Sequence, residues 1–239
     1  MVFAATSGIG RAVAEALLAG GEDLLVTGRS AGDVEALARH LEVTSGRPVP
    51  WLAWDVTDFP GHANRFKDLV AGHPVKGLFM AAGVLIPQEE CDADPDKTRL
   101  TFDANLTGPA AVMGLFAAHF REKGSGFISC VSSVAGDRGR AKITAYAASK
   151  AGLSAWLEGL GNRLRGSSVL VQTVKPGYVR TRMTEGVRSP LMASPQKAAR
   201  DIVRAIGSRR RVVYTPGYWK YIMLIIKAIP APLFRRLGL

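Results

Sequence analysis

Tyr146 and Lys150 are the residues of this sequence whose types and spacing best suit proton transfer. They lie four positions apart in a segment with helical periodicity, so both side chains project from one face. An unperturbed phenol titrates near ~10, and a nearby cation favours the phenolate and lowers that pKa. Such a pair can exchange a proton with an alcohol or a ketone, although an ordinary pair on a helix surface has the same spacing.

Ser133 adds a third polar group at a suitable place. It follows the apolar run 127–131, which is flanked by glycine and predicts a buried strand, and it precedes Tyr146 by thirteen residues. If the intervening loop folds back onto the helix, the serine hydroxyl can hydrogen-bond the reacting oxygen. The order of strand, serine, loop and Tyr/Lys helix therefore favours a catalytic site over a surface pair.

Two features near the start of the chain predict a dinucleotide site. Residues 1–5 form a short strand signal, and the Thr-Ser-Gly-Ile-Gly turn at 6–10 leads into a helix that offers N–H groups and a positive dipole to phosphate. A second strand is predicted over 23–27. The turn after it contains Arg29 and no acid, which favours the 2′-phosphate of NADP over the ribose hydroxyl of NAD; an exposed arginine without a ligand is the alternative.

The rest of the chain alternates between predicted strands and predicted helices. Seven strand signals separated by helices predict a parallel sheet covered on both faces, in one domain over residues 1–215. Residues 178–194 have no clear period and are expected to form a mobile lid. Further helices are predicted over 34–43, 61–71, 95–123 and 195–206, and further strands over 49–53, 77–80, 169–174 and 211–214.

Composition limits the class of protein. The 239 residues are 47% hydrophobic and 21% charged, which is typical of a globular chain. Cys91 and Cys130 lie far apart without metal-ligand spacing, so they are interpreted as reduced, packed thiols, and no metal site is predicted. The first apolar run is too short for a signal peptide, and a cytoplasmic protein is expected.

The net charge of +11 is concentrated at the C-terminal end, since residues 197–239 contain ten Lys/Arg and one acid. The tail, residues 216–239, reads as an apolar, aromatic helix with flanking basic residues, too short to span a bilayer. Such a helix suits an anionic membrane interface on the inner face of the membrane. Packing on the body or on a dimer partner is the alternative. The run of three arginines at 209–211 is basic enough to attract nucleic acid. No nucleic-acid-recognition motif accompanies it, so nucleic acid is not an expected partner.

Together these residues resemble the short-chain dehydrogenase/reductase family over nearly the whole chain. The resemblance implies a doubly wound Rossmann fold with about seven strands in the order 3-2-1-4-5-6-7, bound NADP(H), and a homo-oligomer. It places the catalytic tetrad on Asn105, Ser133, Tyr146 and Lys150. The implied cofactor contacts are Thr6, Ser7, Gly8, Ile9, Gly10, Arg29, Asp55, Val56, Ala81, Ala82, Gly83, Tyr146, Lys150, Pro176, Gly177, Val179 and Thr181.

The resemblance also implies a mechanism. Tyr146 exchanges a proton with the carbonyl or alcohol, Ser133 orients and polarises its oxygen, and Lys150 lowers the pKa of Tyr146 and hydrogen-bonds the nicotinamide ribose. Asn105 holds a water that continues the proton relay. Hydride passes between the nicotinamide and a small carbonyl or secondary alcohol substrate, and Thr181 touches the nicotinamide carboxamide.

Two departures from the family pattern bear on cofactor binding and stability. Ala4 replaces the first glycine of the turn, where a Cβ strains the backbone if a positive φ is required. Met80 and Ala81 replace two asparagines that brace the central strands. These departures keep open a sensor or scaffold that has lost catalysis. A soluble 3-oxoacyl-thioester reductase, whose basic end meets an acidic carrier protein, is the alternative among enzymes.

Overall fold

A parallel sheet forms the centre of the molecule, and a computed structural model describes residues 1–237 of it. The strands pair in the order β3-β2-β1-β4-β5-β6-β7, every pairing being parallel. This confirms the predicted doubly wound topology. The strands are β1 (Val2–Phe3), β2 (Val26–Gly28), β3 (Trp51–Ala53), β4 (Gly77–Met80), β5 (Ser125–Val131), β6 (Ser168–Pro176) and β7 (Val212–Thr215).

Helices cover both faces of the sheet because successive strand residues point to opposite faces and are apolar on each. In β1, Val2 packs with the helices on one face and Phe3 with those on the other; in β4, Phe79 and Leu78 divide in the same way. The helices are α1 (Gly8–Ala19), α2 (Ala31–Ser45), α3 (His62–Gly72), α4 (Gln88–Ala93), α5 (Pro95–Phe102), α6 (Gly108–Glu122), α7 (Thr144–Arg163), α8 (Pro195–Gly207), α9 (Trp219–Ala228) and α10 (Ala231–Arg236).

The single helix predicted over 95–123 is interrupted. A π-helical turn, Asp103–Thr107, separates α5 from α6 and contains the predicted catalytic residue Asn105. Pro109 lacks an N–H and cannot donate to the carbonyl four residues before it, which accounts for a break in the regular hydrogen-bond pattern. The short helix α4 was not predicted, because six residues are too few to show a helical period.

The tail packs on the body through one face of α9. Trp219 and Met223 are buried against Val134, with Leu191 and Tyr214 at the edge of the cluster. The packed alternative is therefore confirmed for this face, whereas the opposite face of α9 is exposed. Over residues 1–237, no helix combines the length and apolar character that crossing a bilayer requires. Residues 238 and 239 of the predicted tail lie outside the described residues.

Candidate active site

The glycine turn joins β1 to α1 as predicted. Ser7 caps the helix by accepting a hydrogen bond from the Gly10 N–H at 3.1 Å. Ala4 has a φ of 56°, so the strain expected at this position is present. A Cβ at Gly10 would lie 2.4 Å from the Ala4 carbonyl oxygen, and so glycine is required there by close packing of the turn. Thr6 and Gly8 are exposed at the helix N-terminus, a donor set that suits a phosphate.

The lid begins directly beside this turn. A Cβ at Gly8 would lie 2.5 Å from the methyl carbon of Thr181, so the two predicted cofactor residues are in contact. Ile9 follows in the first turn of α1, and Val179 is buried two residues before Thr181. The structure therefore brings the loop after β6 to the glycine turn. The residues predicted to contact the cofactor phosphates and the nicotinamide are thus adjacent.

Arg29 and Asp55 lie at the ends of neighbouring strands. Arg29 is exposed directly after β2, and Asp55 follows β3. One oxygen of Asp55 accepts hydrogen bonds from the N–H and the hydroxyl of Thr57, both at 2.8 Å. Val56 is buried. Because the carboxyl ends of parallel strands share an edge, these residues occupy the same edge as the glycine turn.

Three of the predicted residues meet at Gly83. A Cβ at this position would lie 2.8 Å from Asn105 Oδ1 and 3.1 Å from Lys150 Nζ. The φ of Gly83 is 158°, a value at the border of the region that favours glycine. Ala81 and Ala82 precede it at the end of β4, and their small side chains leave the backbone accessible for a flat ring. The tetrad members Asn105 and Lys150 are thus brought together around this turn.

Asn105 braces the turn in place of the missing asparagines. Its Oδ1 accepts from the Val84 N–H at 2.7 Å, and its amide donates to the Val84 carbonyl at 2.9 Å and to Ser149 Oγ at 3.1 Å. All of its side-chain groups therefore have partners within the protein. The main-chain carbonyl of Asn105 cannot accept the regular helical hydrogen bond from residue 109, because Pro109 has no N–H.

The loop that contains Ser133 folds back onto α7, as the catalytic interpretation required. A Cβ at Gly136 would lie 2.7 Å from the Lys150 carbonyl carbon, and Ser132 Oγ donates to the Lys150 carbonyl at 2.9 Å. Ser133 itself caps the short 3-10 turn after β5 by accepting from the Ala135 N–H at 3.0 Å. These contacts hold the serine beside the helix that presents Tyr146 and Lys150.

The pKa of Tyr146 departs from the expected direction. Burial raises it, and the Ser133 hydroxyl next to it acts in the opposite direction. The Lys150 ammonium lies 5.9 Å from the centre of the phenol ring and donates to the Val131 carbonyl at 3.0 Å. Burial in turn lowers the pKa of Lys150 to about 8. The prediction of a directly lowered phenol pKa is wrong for this structure.

The end of β6 carries the predicted Pro-Gly pair next to the tail. Pro176 is buried, and the Gly177 N–H donates to the Thr215 carbonyl at 3.0 Å. A Cβ at Gly177 would lie 1.8 Å from the indole nitrogen of Trp219, so only glycine fits against α9. The tail therefore packs against this end of β6, and the contact between Gly177 and Trp219 has no local signal in the sequence.

A buried ionic cluster beneath the serine loop was also missed by the sequence analysis. Asp137, with a side chain only 2% exposed, pairs with Lys175 and accepts a hydrogen bond from the Tyr214 hydroxyl at 2.7 Å. Burial, together with Asp137, raises the pKa of Tyr214. The cluster ties the loop after Ser133 to β6 and β7. Its members are far apart in sequence, and no local signal connects them.

Gln88 on α4 supports the start of α7. Its Oε1 accepts from the Ala145 N–H at 3.0 Å, directly before Tyr146. This contact satisfies one of the free donors at the N-terminus of α7. Its only sequence signal is a polar residue after Pro87, which does not identify a partner 57 residues away.

The comparisons with known proteins agree with this geometry. The short chain dehydrogenase family model matches residues 1–191. An uncharacterized oxidoreductase of Streptomyces coelicolor is 31% identical over 99% of this chain and 94% of its own length. An uncharacterized oxidoreductase of Mycobacterium tuberculosis is 29% identical, with 99% and 96% covered. The chain belongs to the short-chain dehydrogenase/reductase family. It is an oxidoreductase of that type.

Solved structures support the same fold. A short-chain dehydrogenase from Streptomyces avermitilis superposes with a TM-score of 0.81 at 26% identity, over 93% of this chain and 90% of that one. A Sphingobium yanoikuyae enzyme was solved with NADPH (23% identity, TM-score 0.78, 96% and 95% covered). A Burkholderia phymatum enzyme was solved with NAD (21%, TM-score 0.83, 93% and 90% covered). At 23% and 21% identity, these two complexes establish the fold of this chain but not its cofactor. The cofactor has to be inferred from the residues of this chain.

Proposed function

We propose that this oxidoreductase uses NADP(H) to interconvert a carbonyl compound and a secondary alcohol. The observation that carries the proposal is the meeting of Asn105 and Lys150 at Gly83, with Ser133 folded onto the same helix as Tyr146. When bound, the nicotinamide supplies or accepts the hydride. A sensor without catalysis would not require these four side chains to converge.

The residues divide the proton chemistry among them. Tyr146 gives a proton to the carbonyl oxygen in reduction and takes it back in oxidation, while Ser133 hydrogen-bonds the same oxygen. Lys150 has a pKa of about 8 and remains largely protonated at neutral pH, so it can donate to a ribose hydroxyl. The Asn105 carbonyl holds the water that passes the proton on.

The preference for NADP rests on Arg29. It is exposed at the end of β2, where the adenosine ribose is expected, and no ion pair involving it occurs among residues 1–237. A guanidinium at this place favours a 2′-phosphate, whereas NAD specificity requires an acid there. Structures of the same fold contain either cofactor, which makes this residue the deciding observation.

Fluorescence titration with NADPH and with NADH, side by side, tests the assignment. Tight NADPH binding and weaker NADH binding are expected, and Arg29→Ala should remove most of the preference, a loss of about 1–3 kcal/mol in NADPH binding. Tyr146→Phe should keep NADPH binding and lower turnover by about 10²–10⁴-fold. Failure of both nucleotides to bind would overturn the enzyme proposal.

We place this activity at an anionic membrane surface, with a lipid or lipid-linked substrate and a homo-oligomeric enzyme. The exposed face of α9 contains Tyr221, Leu224 and Ile225, each about two-thirds exposed at 66%, 68% and 66%. Lys220 and Lys227 flank them, and no acid occurs after Asp201. Apolar side chains beside cations suit the interfacial region of a bilayer. A soluble 3-oxoacyl-thioester reductase remains the competing proposal, and membrane binding decides between them.

A further inference from the structure

The loop after Gly177 carries three arginines that face an open cavity. Arg180, Arg182 and Arg188 line a cavity of about 710 Å³ together with the hydroxyl-bearing residues Thr184 and Ser189. None of the three guanidiniums forms an ion pair with a carboxylate among residues 1–237. Unpaired cations around one cavity form a site of positive potential.

The loop holds these arginines on a defined backbone. Its two ends are joined by a bridge between Val179 and Ala193. Within it, Thr184 Oγ1 donates to the Val179 carbonyl at 2.6 Å, and the Tyr218 hydroxyl of the tail donates to the Leu191 carbonyl at 3.0 Å. The loop is therefore partly ordered before a ligand binds, which lowers the entropy cost of binding.

The chemistry of the lining selects an anion. The three arginines outnumber the one acid in the cavity, Glu185, and guanidinium groups bind phosphate through paired N–H donors. Hydroxyls beside them add further donors for phosphate oxygens. We propose that this cavity binds a phosphate group carried by the substrate. That this substrate undergoes hydride transfer rests on the proposed function. That the cavity binds its phosphate group does not.

The position of the cavity suits the substrate better than the cofactor. One end is Thr181, which contacts Gly8 at the glycine turn, and the lining extends from there to Met192. The proposed function already assigns the cofactor phosphates to that turn and to Arg29. Val187 and Met192 provide apolar surface next to the arginines. A phosphate joined to an organic chain, soluble or embedded in lipid, matches both kinds of surface.

Isothermal titration calorimetry with hexyl phosphate and with inorganic phosphate tests the site, first on the free protein and then on protein saturated with NADPH. Hexyl phosphate should bind in both states. The double variant Arg182→Gln/Arg188→Gln should weaken its binding by at least about tenfold, because two charge-assisted contacts are lost. Arg121→Gln, which removes an exposed arginine from the end of α6, is the matched control and should leave binding unchanged.

Equal binding by the double variant, no binding by either phosphate, or displacement of hexyl phosphate by NADPH would overturn the proposal. Hexyl phosphate binding more than about tenfold tighter than inorganic phosphate supports a lipid-borne phosphate. Similar affinities support a small phosphorylated substrate. If hexyl phosphate binds but NADPH does not, the anion site stands and the proposed hydride transfer fails, so the two failures are distinguishable.

Discussion

Ala4 has a strained backbone in the turn that we propose binds the cofactor phosphates. Its φ of 56° lies in the left-handed region, which costs an alanine about 1 kcal/mol relative to glycine. We expect Ala4→Gly to raise the free energy of unfolding by about 0.5–1 kcal/mol, measured by urea denaturation. Ala14→Gly, in the buried interior of α1, is the control and should destabilise by a similar amount. Equal destabilisation by both variants would show that the turn gains nothing from glycine.

Lys150 gives a pH dependence whose sign can be worked out. Burial lowers its pKa from 10.5 to about 8, so between these values the unfolded chain binds more protons than the folded one. The unfolding free energy must then rise with pH across that window. Below about pH 8 the lysine is charged in both states, and the destabilising effect of burying the charge is fully present.

Denaturation at about pH 7.5 and pH 9.5 measures this contribution against Lys150→Met. The wild type should gain about 2 kcal/mol relative to the variant over this interval. Parallel pH profiles for the two proteins would mean that the lysine titrates normally. We also expect the rate of reduction to fall above pH 8, because Lys150, the proposed donor to the ribose, then loses its charge.

The loop between Ser133 and α7 depends on a charged cluster for its position. Asp137→Asn leaves Lys175, whose side chain is 14% exposed, without its counter-charge and weakens the contact to Tyr214. We expect a loss of about 3 kcal/mol in unfolding free energy. Asp96→Asn, which breaks an exposed ion pair with Arg99, should cost less than about 1 kcal/mol.

A double-mutant cycle separates a specific pair from general disruption. Asp137→Asn/Lys175→Gln should be more stable than the sum of the single losses predicts, because the second change removes the stranded cation. Strict additivity would show that the two side chains act independently. Turnover should also fall in Asp137→Asn while NADPH affinity stays unchanged, since the cluster ties the loop after Ser133 to β6 and β7.

Local patterns predicted most elements, but not the contacts between them. The strand 77–80 was predicted with its observed bounds because Gly77 is followed by three apolar residues and then by a small-residue turn. The resemblance to the family implied the positions of the tetrad, which no local period indicates. By contrast, Gln88 reaches Ala145, and Trp219 packs on Gly177, through folding of distant segments. Such pairs leave no periodic signal, so these individual contacts could not be predicted from this one sequence.

At the scale of the whole molecule, the tail has two different faces. Arg138, just after the serine loop, donates to the carbonyls of Ile226 and Ile229 at 2.6 Å each, which caps α9 from the body. It also lies 3.9 Å from the ring centre of Phe234. The tail is thus fixed on one side to the loop that follows Ser133, while its apolar face stays exposed. A surface that binds this face is linked to that loop through α9 and Arg138.

Sedimentation with vesicles containing about 30% anionic lipid tests whether that surface is a membrane. The wild type should bind, less so at high salt because charge attraction is screened. Leu224→Ser/Ile225→Ser should lower the bound fraction by about tenfold or more, since the two aliphatic side chains that would insert into the bilayer are lost. Val43→Ser, which removes an 86% exposed valine on α2, should bind like the wild type.

Each result has a distinct physical meaning. An equal loss of vesicle binding in the Val43 variant would indicate non-specific adsorption through exposed apolar residues. No vesicle binding by the wild type would exclude the membrane placement and favour the soluble thioester reductase, whose acidic carrier would meet the basic residues of the tail. Binding that requires both Leu224 and anionic lipid would place the Ser133 loop, through Arg138 and α9, next to the bilayer. A lipid-borne carbonyl could then reach Tyr146 without leaving the membrane surface.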